Sequence, residues 1–137
     1  MRGTLLSPAR RIAARLRRDE DGYAGTIIAV PVVVVFTFAL FQFGLYYIGG
    51  EVAQAAAYNA FQQVRSYHAV DSDGVDAFHA TLVANQGLLH DATVQITRPD
   101  ADHVTVAVTG HPWAFLPFLP MPPINRTQTG PVERWVP

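Results

Sequence analysis

From Gly22 to Gly50 the chain carries no charged residue, and Val, Ile, Leu, Phe and Tyr dominate the run. As a helix these roughly 29 residues extend about 44 Å, at about 1.5 Å per residue, where a bilayer's hydrocarbon core needs about 20 residues. The pattern predicts a transmembrane helix over 23–50. Between Ile27 and Ile48 there are fourteen Val, Ile, Leu or Phe residues. They favour insertion by roughly 4–8 kcal/mol, before the costs of Pro31 and Gln42. The β-branched run Val32–Val35 suits a strand in water, but a lone segment in lipid satisfies its own backbone only as a helix. Pro31 removes one backbone donor and predicts a kink early in the span.

Beyond Gly49 and Gly50 the residue types predict that the helix continues through Glu51 to about His68, because Ala, Gln and Arg form helices well and neither Pro nor Gly interrupts. Small residues recur at Gly49, Ala53 and Ala57, and again at Ala56 and Ala60. Spacing of four puts each set on one helix face, which permits close helix packing; a merely high Ala content is the alternative reading. Asp71-Ser72-Asp73-Gly74 reads as a break and then a cap, with Asp73 and Asp76 resembling a capping box. Val75, Phe78, Leu82, Asn85 and Leu89 follow helical spacing and predict a second helix to about Leu89. Val94 and Ile96 mark one strand and Val104, Val106 and Val108 another, joined by a turn at Pro99–Asp102 into an antiparallel hairpin. Ile124–Thr129 reads as a third strand, and Val132–Pro137 as a tail. The expected fold is α+β: a long N-terminal transmembrane helix continuing into a small domain (51–137) with a second helix and a two- to three-stranded antiparallel sheet.

Residues 111–124, "HPWAFLPFLPMPPI", form a Pro-rich apolar loop that cannot join a central strand. Trp113, Phe115 and Phe118 have two places to go. They sit on the membrane surface or a partner, or, as the favoured expectation, they cover the open face of the small sheet.

Charge orients the span. Six arginines (Arg2, Arg10, Arg11, Arg15, Arg17, Arg18) and three acids (Asp19, Glu20, Asp21) precede it, whereas four arginines (Arg65, Arg98, Arg126, Arg134) and eight carboxylates follow. Excess positive charge favours the cytoplasmic side. A cytoplasmic basic leader (1–22), a cell-membrane location and an extracytoplasmic C-terminal domain follow. Ile12, Ala13 and Leu16 among the arginines could lie on anionic lipid; a solvated leader is the alternative. A cleaved secretory signal competes with the anchor: Ala53-Gln54-Ala55 fits a cleavage pattern, but the apolar run is longer than a signal's usual core of about 7–15 residues. Arg10-Arg11 lies too far ahead of the run for a twin-arginine signal.

Catalytic chemistry finds little support. The absence of Cys excludes disulfides, thiol nucleophiles and Cys-based zinc sites. His68, His79 and His90 are spaced by eleven, about three helical turns, but the break at Asp71–Gly74 separates them and no Glu or Cys completes a metal site with recognisable spacing. Neither a phosphate-binding Gly-rich loop nor a serine nucleophile elbow is present. No enzyme activity, cofactor, metal or nucleic-acid partner is expected.

The order of parts is distinctive: an Arg-rich leader before Gly22, a long apolar helix carrying "FQFGLYYIGGEVAQAAA", a short α/β domain, and a closing "GPVERW". Over roughly residues 18–137 the chain resembles the TadE-like minor pilins, or pseudopilins, of the tight-adherence (Flp-type) pilus assembly system, most nearly their actinobacterial branch. The resemblance implies insertion with the N-terminus in the cytoplasm, removal of the leader by a prepilin peptidase between Gly22 and Tyr23, and packing of the exposed helix against other pilins and pilus assembly proteins. Gly44, Gly49, Ala53 and Ala57 are the candidate helix-packing positions.

The chain departs from that family at two places. Ile27 stands where the family carries Glu five residues after the cut, and Asp21 precedes Gly22 where a basic residue is usual. Aligning on Pro31 instead puts Gly25 at the acidic position, which restores no charge. A carboxylate inside a span costs about 2.5–3.5 kcal/mol and is kept for a purpose, which in pilins is thought to be pairing with a neighbour's new N-terminal amine. Ile27 cannot do this. The expected role is therefore an accessory component of pilus assembly. The alternatives are a single-pass membrane protein whose outer domain binds without filament assembly, and a secreted domain with a cleaved signal.

Overall fold

The computed structural model describes the backbone of residues 8–134, with side chains for Tyr23 and from Gly25 onward. The leader residues Ile12, Ala13 and Leu16 and the terminal Trp135 fall outside the described side chains. The architecture is α+β, in the order α1 (Pro8–Val64), α2 (Asp71–Ala84), β1 (Leu89–Thr97), β2 (His103–Pro112) and β3 (Ile124–Pro131). Two compact units divide the chain, residues 1–39 and residues 40–137.

In the first unit α1 is continuous through Pro31. Its side chains stand open: Ile28, Val32, Val33, Val35 and Phe36 are all exposed. Thr37 turns its hydroxyl back to the Val33 carbonyl at 2.8 Å, so this polar group is satisfied within the helix itself.

In the second unit the strands form one antiparallel sheet in the order β1-β2-β3. Strict alternation along β2 sends Val104, Val106 and Val108 to one face, where they are fully buried. They form one cluster with Leu89, Ile124, Phe78 and the α1 residues Val52, Ala53, Ala56, Ala57, Ala60, Phe61 and Val64. Small residues bring the helix backbone near the sheet. At Gly49 an added Cβ would stand 3.1 Å from Ile124 Cδ1 and 3.2 Å from Pro112 Cβ.

The opposite face of the sheet is polar. Register places Thr93, Gln95 and Thr97 of β1 beside Thr109, Ala107 and Thr105 of β2, and these beside Asn125, Thr127 and Thr129 of β3. The Thr105 and Thr129 hydroxyls lie 2.9 Å apart. A face of threonines and amides tolerates water and calls for no apolar cover, which overturns the expectation that Trp113, Phe115 and Phe118 close it.

Several boundaries differ from the sequence expectation. Helix α1 ends at Val64 rather than near His68, and the following turn carries His68 at φ 63°. Helix α2 starts two residues before Asp73. The Val70 amide donates to the Asp73 carboxylate at 3.1 Å, and the Asp73 amide to the Val70 carbonyl at 3.1 Å. Asp73 therefore fills the third helical position of the cap rather than its first. The same helix stops at Ala84, because Gln86 and Gly87 both take positive φ (52° and 72°). Leu89 consequently opens β1 instead of closing α2. A register shift between His90 and Thr93, with Asp91 at φ 48°, bulges β1.

Two further expectations are corrected. His111 and Pro112 end the central strand, pairing with His90 and Leu89; a proline is admissible there because the ladder terminates. The segment after Pro131 is docked through Arg134. The Val132 amide donates to Asp102 O and the Glu133 amide to Arg65 O, each at 2.8 Å. Arg65 pairs with Glu133 at 3.1 Å, and Arg134 pairs with Asp102.

Gly130 is tight but forgiving. An added Cβ would lie 2.7 Å from Phe61 Cζ, the far end of a side chain, with its next neighbours at 3.5 Å and beyond. Gly130→Ala should therefore cost no more than about 1 kcal/mol, read as a small fall in the denaturation midpoint of detergent-solubilised protein.

Candidate functional site

The candidate surface is built on α1, whose environment changes along its length. One stretch within Gly25–Val64 is long and apolar enough to cross a membrane, and only 6% of its most apolar part is buried. A core helix of a water-soluble domain would be mostly covered. Here the apolar side chains form an exposed surface far more continuous than scattered surface leucines. Ile27 belongs to it at 57% exposure, offering a hydrocarbon surface and no charge. Tyr23 is also exposed, and the Gly22–Tyr23 bond lies within α1.

The candidate packing residues divide into two groups. Gly49, Ala53 and Ala57 are buried, with the two alanines at 0% exposure. The protein's own sheet and Phe78 occupy that face. Gly44 is different: it is exposed and has nothing within 4 Å of an added Cβ. Of the four, Gly44 alone presents a small-residue face outward.

Gln42 is the polar residue that sequence reasoning treated only as a cost to insertion. It is 0% exposed. Its side-chain oxygen accepts the Phe115 amide at 2.7 Å, with the Leu116 amide at the 3.5 Å limit, and its Nε2 donates to Trp113 O at 3.2 Å. One amide side chain thereby supplies the donor and acceptor that the Pro-rich loop lacks internally. The available signal was that Gln42 is the sole amide side chain between Ile27 and Ile48; its partners lie more than seventy residues away and left no local trace.

With its backbone tied to Gln42, the loop turns aromatic side chains outward. Trp113, Phe115 and Phe118 are 46%, 54% and 70% exposed. Trp113 and Phe115 meet edge to face at 5.7 Å between centroids, and His90 lies 5.8 Å from the indole. A cleft of about 360 Å³ beside them is lined by Leu45, Gln86, Gly87, Leu88, Trp113 and Phe115.

His68, His79 and His90 occupy a turn, α2 and β1 respectively, and all three are exposed. Among the described residues no group of His, Asp and Glu converges to hold a metal. No family model matches this chain, and neither does any curated protein or solved structure.

Proposed function

We propose that the protein is a single-pass membrane protein, with its N-terminus cytoplasmic and its α/β domain outside, acting as a pilin-like accessory component of tight-adherence pilus assembly. The observation that carries the reading is the two environments of α1: apolar and exposed over 25–38, and covered on one face by the domain's own core at 52–64. One helix thus serves as anchor and as domain spine, which suits a protein that leaves the bilayer only by exchanging lipid for other helices. The arginine excess before the span supports the orientation.

The membrane anchor is favoured over a cleaved signal. Cutting near Ala53-Gln54-Ala55 would remove Gln42, Gly49, Val52 and Ala53, uncovering Ile124 and Pro112 and stripping the loop of its hydrogen bonds. Ile27 supports the accessory role over that of a bulk subunit, and it equally favours a membrane protein that never enters a filament. The partners on this reading are membrane lipid, sibling pilins and assembly proteins, and a prepilin peptidase acting at Gly22–Tyr23.

Mass spectrometry of sheared pili and of extracted membranes tests the role. The accessory reading expects a chain beginning at Tyr23 to be scarce relative to the main pilin, or a full-length chain held in membranes. Abundance of the Tyr23 chain along the pili would make it a bulk subunit. A soluble fragment beginning near Ala56 would establish the signal reading instead.

A further inference from the structure

We propose that the Pro-rich loop 111–124 is a second membrane contact, a foot that rests in the outer headgroup region and fixes how deep the span sits. The inference depends on α1 spanning the bilayer, and it assigns the occupant of the aromatic patch as lipid.

Position is the first argument. A span needs about 20 residues; counted from the last charge before the run, Asp21, it runs out close to Gln42, and the outer end of the 23–50 run lies against the domain instead, Gly49 and Gly50 being buried beside Ile124, Pro112 and Arg126. Gln42 is the residue that binds the loop, through Phe115 N–H at 2.7 Å and Trp113 C=O at 3.2 Å. The loop is therefore held to the helix at the level where hydrocarbon gives way to headgroups. Tyr46 and Tyr47 lie four and five residues beyond Gln42, and Tyr47 is exposed. Tyrosine and tryptophan concentrate at that depth because their rings are apolar while their polar tips reach water.

Composition is the second. Between His111 and Ile124 there is no Asp, Glu, Lys or Arg, and five of the residues are proline. Exposed Trp113, Phe115 and Phe118 supply the apolar surface, with Leu116 and Leu119 half-buried behind them.

Backbone satisfaction is the third. Irregular backbone is costly at membrane depth because each unpaired N–H or C=O is penalised. Here the prolines remove five donors. Gln42 accepts from Phe115 and approaches Leu116, and the Leu119 amide donates to Leu116 O at 3.1 Å. An aromatic, uncharged patch would equally suit a protein interface; what assigns lipid is the level of Gln42 along the span, which holds the patch at the headgroup depth where Trp and Tyr concentrate.

The test uses the full chain with Trp135→Phe, leaving Trp113 as the sole tryptophan, reconstituted in phosphatidylcholine vesicles. Lipids brominated near the headgroup or near the chain end report depth. A fluorophore on Val34→Cys in a parallel sample reports the span. The expected result is quenching of Trp113 that is stronger, by about twofold or more, with shallow bromines than with deep ones, as suits an indole at the headgroup level. The label at position 34 should show the reverse order. Phe115→Ser/Phe118→Ser should make Trp113 more accessible to aqueous iodide while leaving the position 34 signal unchanged. Trp113 unquenched by either lipid, with position 34 still quenched by deep bromines, overturns the foot and leaves the span standing. A blue-shifted but unquenched Trp113 also overturns it, placing a protein surface there. If position 34 is not quenched, the span fails and the foot with it.

Discussion

Gln42→Leu should release the Pro-rich loop while leaving the sheet folded. Leucine matches glutamine roughly in volume and removes a polar group from an apolar run, so by hydropathy alone the change looks favourable. The geometry argues otherwise. The substitution strands the Phe115 amide and the Trp113 carbonyl, which Gln42 meets at 2.7 and 3.2 Å. Leaving a buried polar group unpaired costs about 1–3 kcal/mol, so losing both partners together should weaken loop docking by about 2–4 kcal/mol. Because the loop can turn to water in detergent, the effect should be local opening rather than global unfolding. Hydrogen exchange measures it directly: the Phe115 amide should lose protection by roughly 30- to 900-fold, at about 1.4 kcal/mol per tenfold, while the amides of β2 keep theirs. Gln42→Glu keeps an acceptor for Phe115 and should retain part of the protection. Equal Phe115 protection in Gln42→Leu and the unchanged protein would mean that the amide does not hold the loop.

Gly74→Leu should destabilise the outer domain as a whole. Gly74 lies in the first turn of α2, and an added Cβ would stand 2.4 Å from Val64 Cγ1, 3.1 Å from Ile96 Cδ1 and 3.2 Å from the Ala60 carbonyl. These neighbours cannot yield easily. Val64 is 1% exposed and β-branched, with one strongly preferred rotamer in a helix, and Ala60 O is helix backbone. Even Gly74→Ala meets this wall, its overpacking cost of about 1–3 kcal/mol being only partly offset by the roughly 1 kcal/mol by which alanine improves a helix over glycine. Gly74→Leu must push α2 away from α1 and β1 and should cost about 3 kcal/mol or more. Denaturation of detergent-solubilised protein, followed by far-ultraviolet circular dichroism, would show a clear loss in midpoint. Ala80→Leu, on an exposed position of the same helix, should be nearly neutral. Equal midpoints for the two variants would refute the close α1–α2 crossing. At Gly130, by contrast, a small tilt of the Phe61 ring is enough to clear the added Cβ, because no backbone atom or second side chain lies within 4 Å among its nearest neighbours.

The elements were largely legible because each is written in local periodicity. The uncharged run, the 3.6-residue pattern from Val75 and the alternation at Val104–Val108 all found their helix or strand. The misses came where a turn overrode the pattern. Leu89 continues the apolar spacing of α2, yet Gln86 and Gly87 at positive φ end the helix before it. Asp73 was read one role out of place because Val70, whose own side chain cannot cap, opens the helix through its backbone, its carbonyl accepting from the Asp73 amide and its amide donating to the Asp73 carboxylate. The last segment read as a tail because two backbone bonds and two ion pairs to distant residues leave no pattern in six residues of sequence.

Sequence by itself determined a long apolar helix, a charge asymmetry across it, and a small α+β domain after it. It also determined that Ile27 brings no carboxylate, since no fold can supply a missing group. The tertiary structure alone decided which neighbour each face meets. The small-residue stripe at Gly49, Ala53 and Ala57 faces the protein's own sheet, and the sheet's other side is polar enough to need no cover, leaving Trp113, Phe115 and Phe118 outward. It also turned Gln42 from a cost of insertion into the clasp of a loop 73 residues away. The physical reason is one of range. Periodicity records which side of an element avoids water, but the hydrophobic effect is non-directional, so the surface that provides the shelter is fixed only when the chain closes on itself.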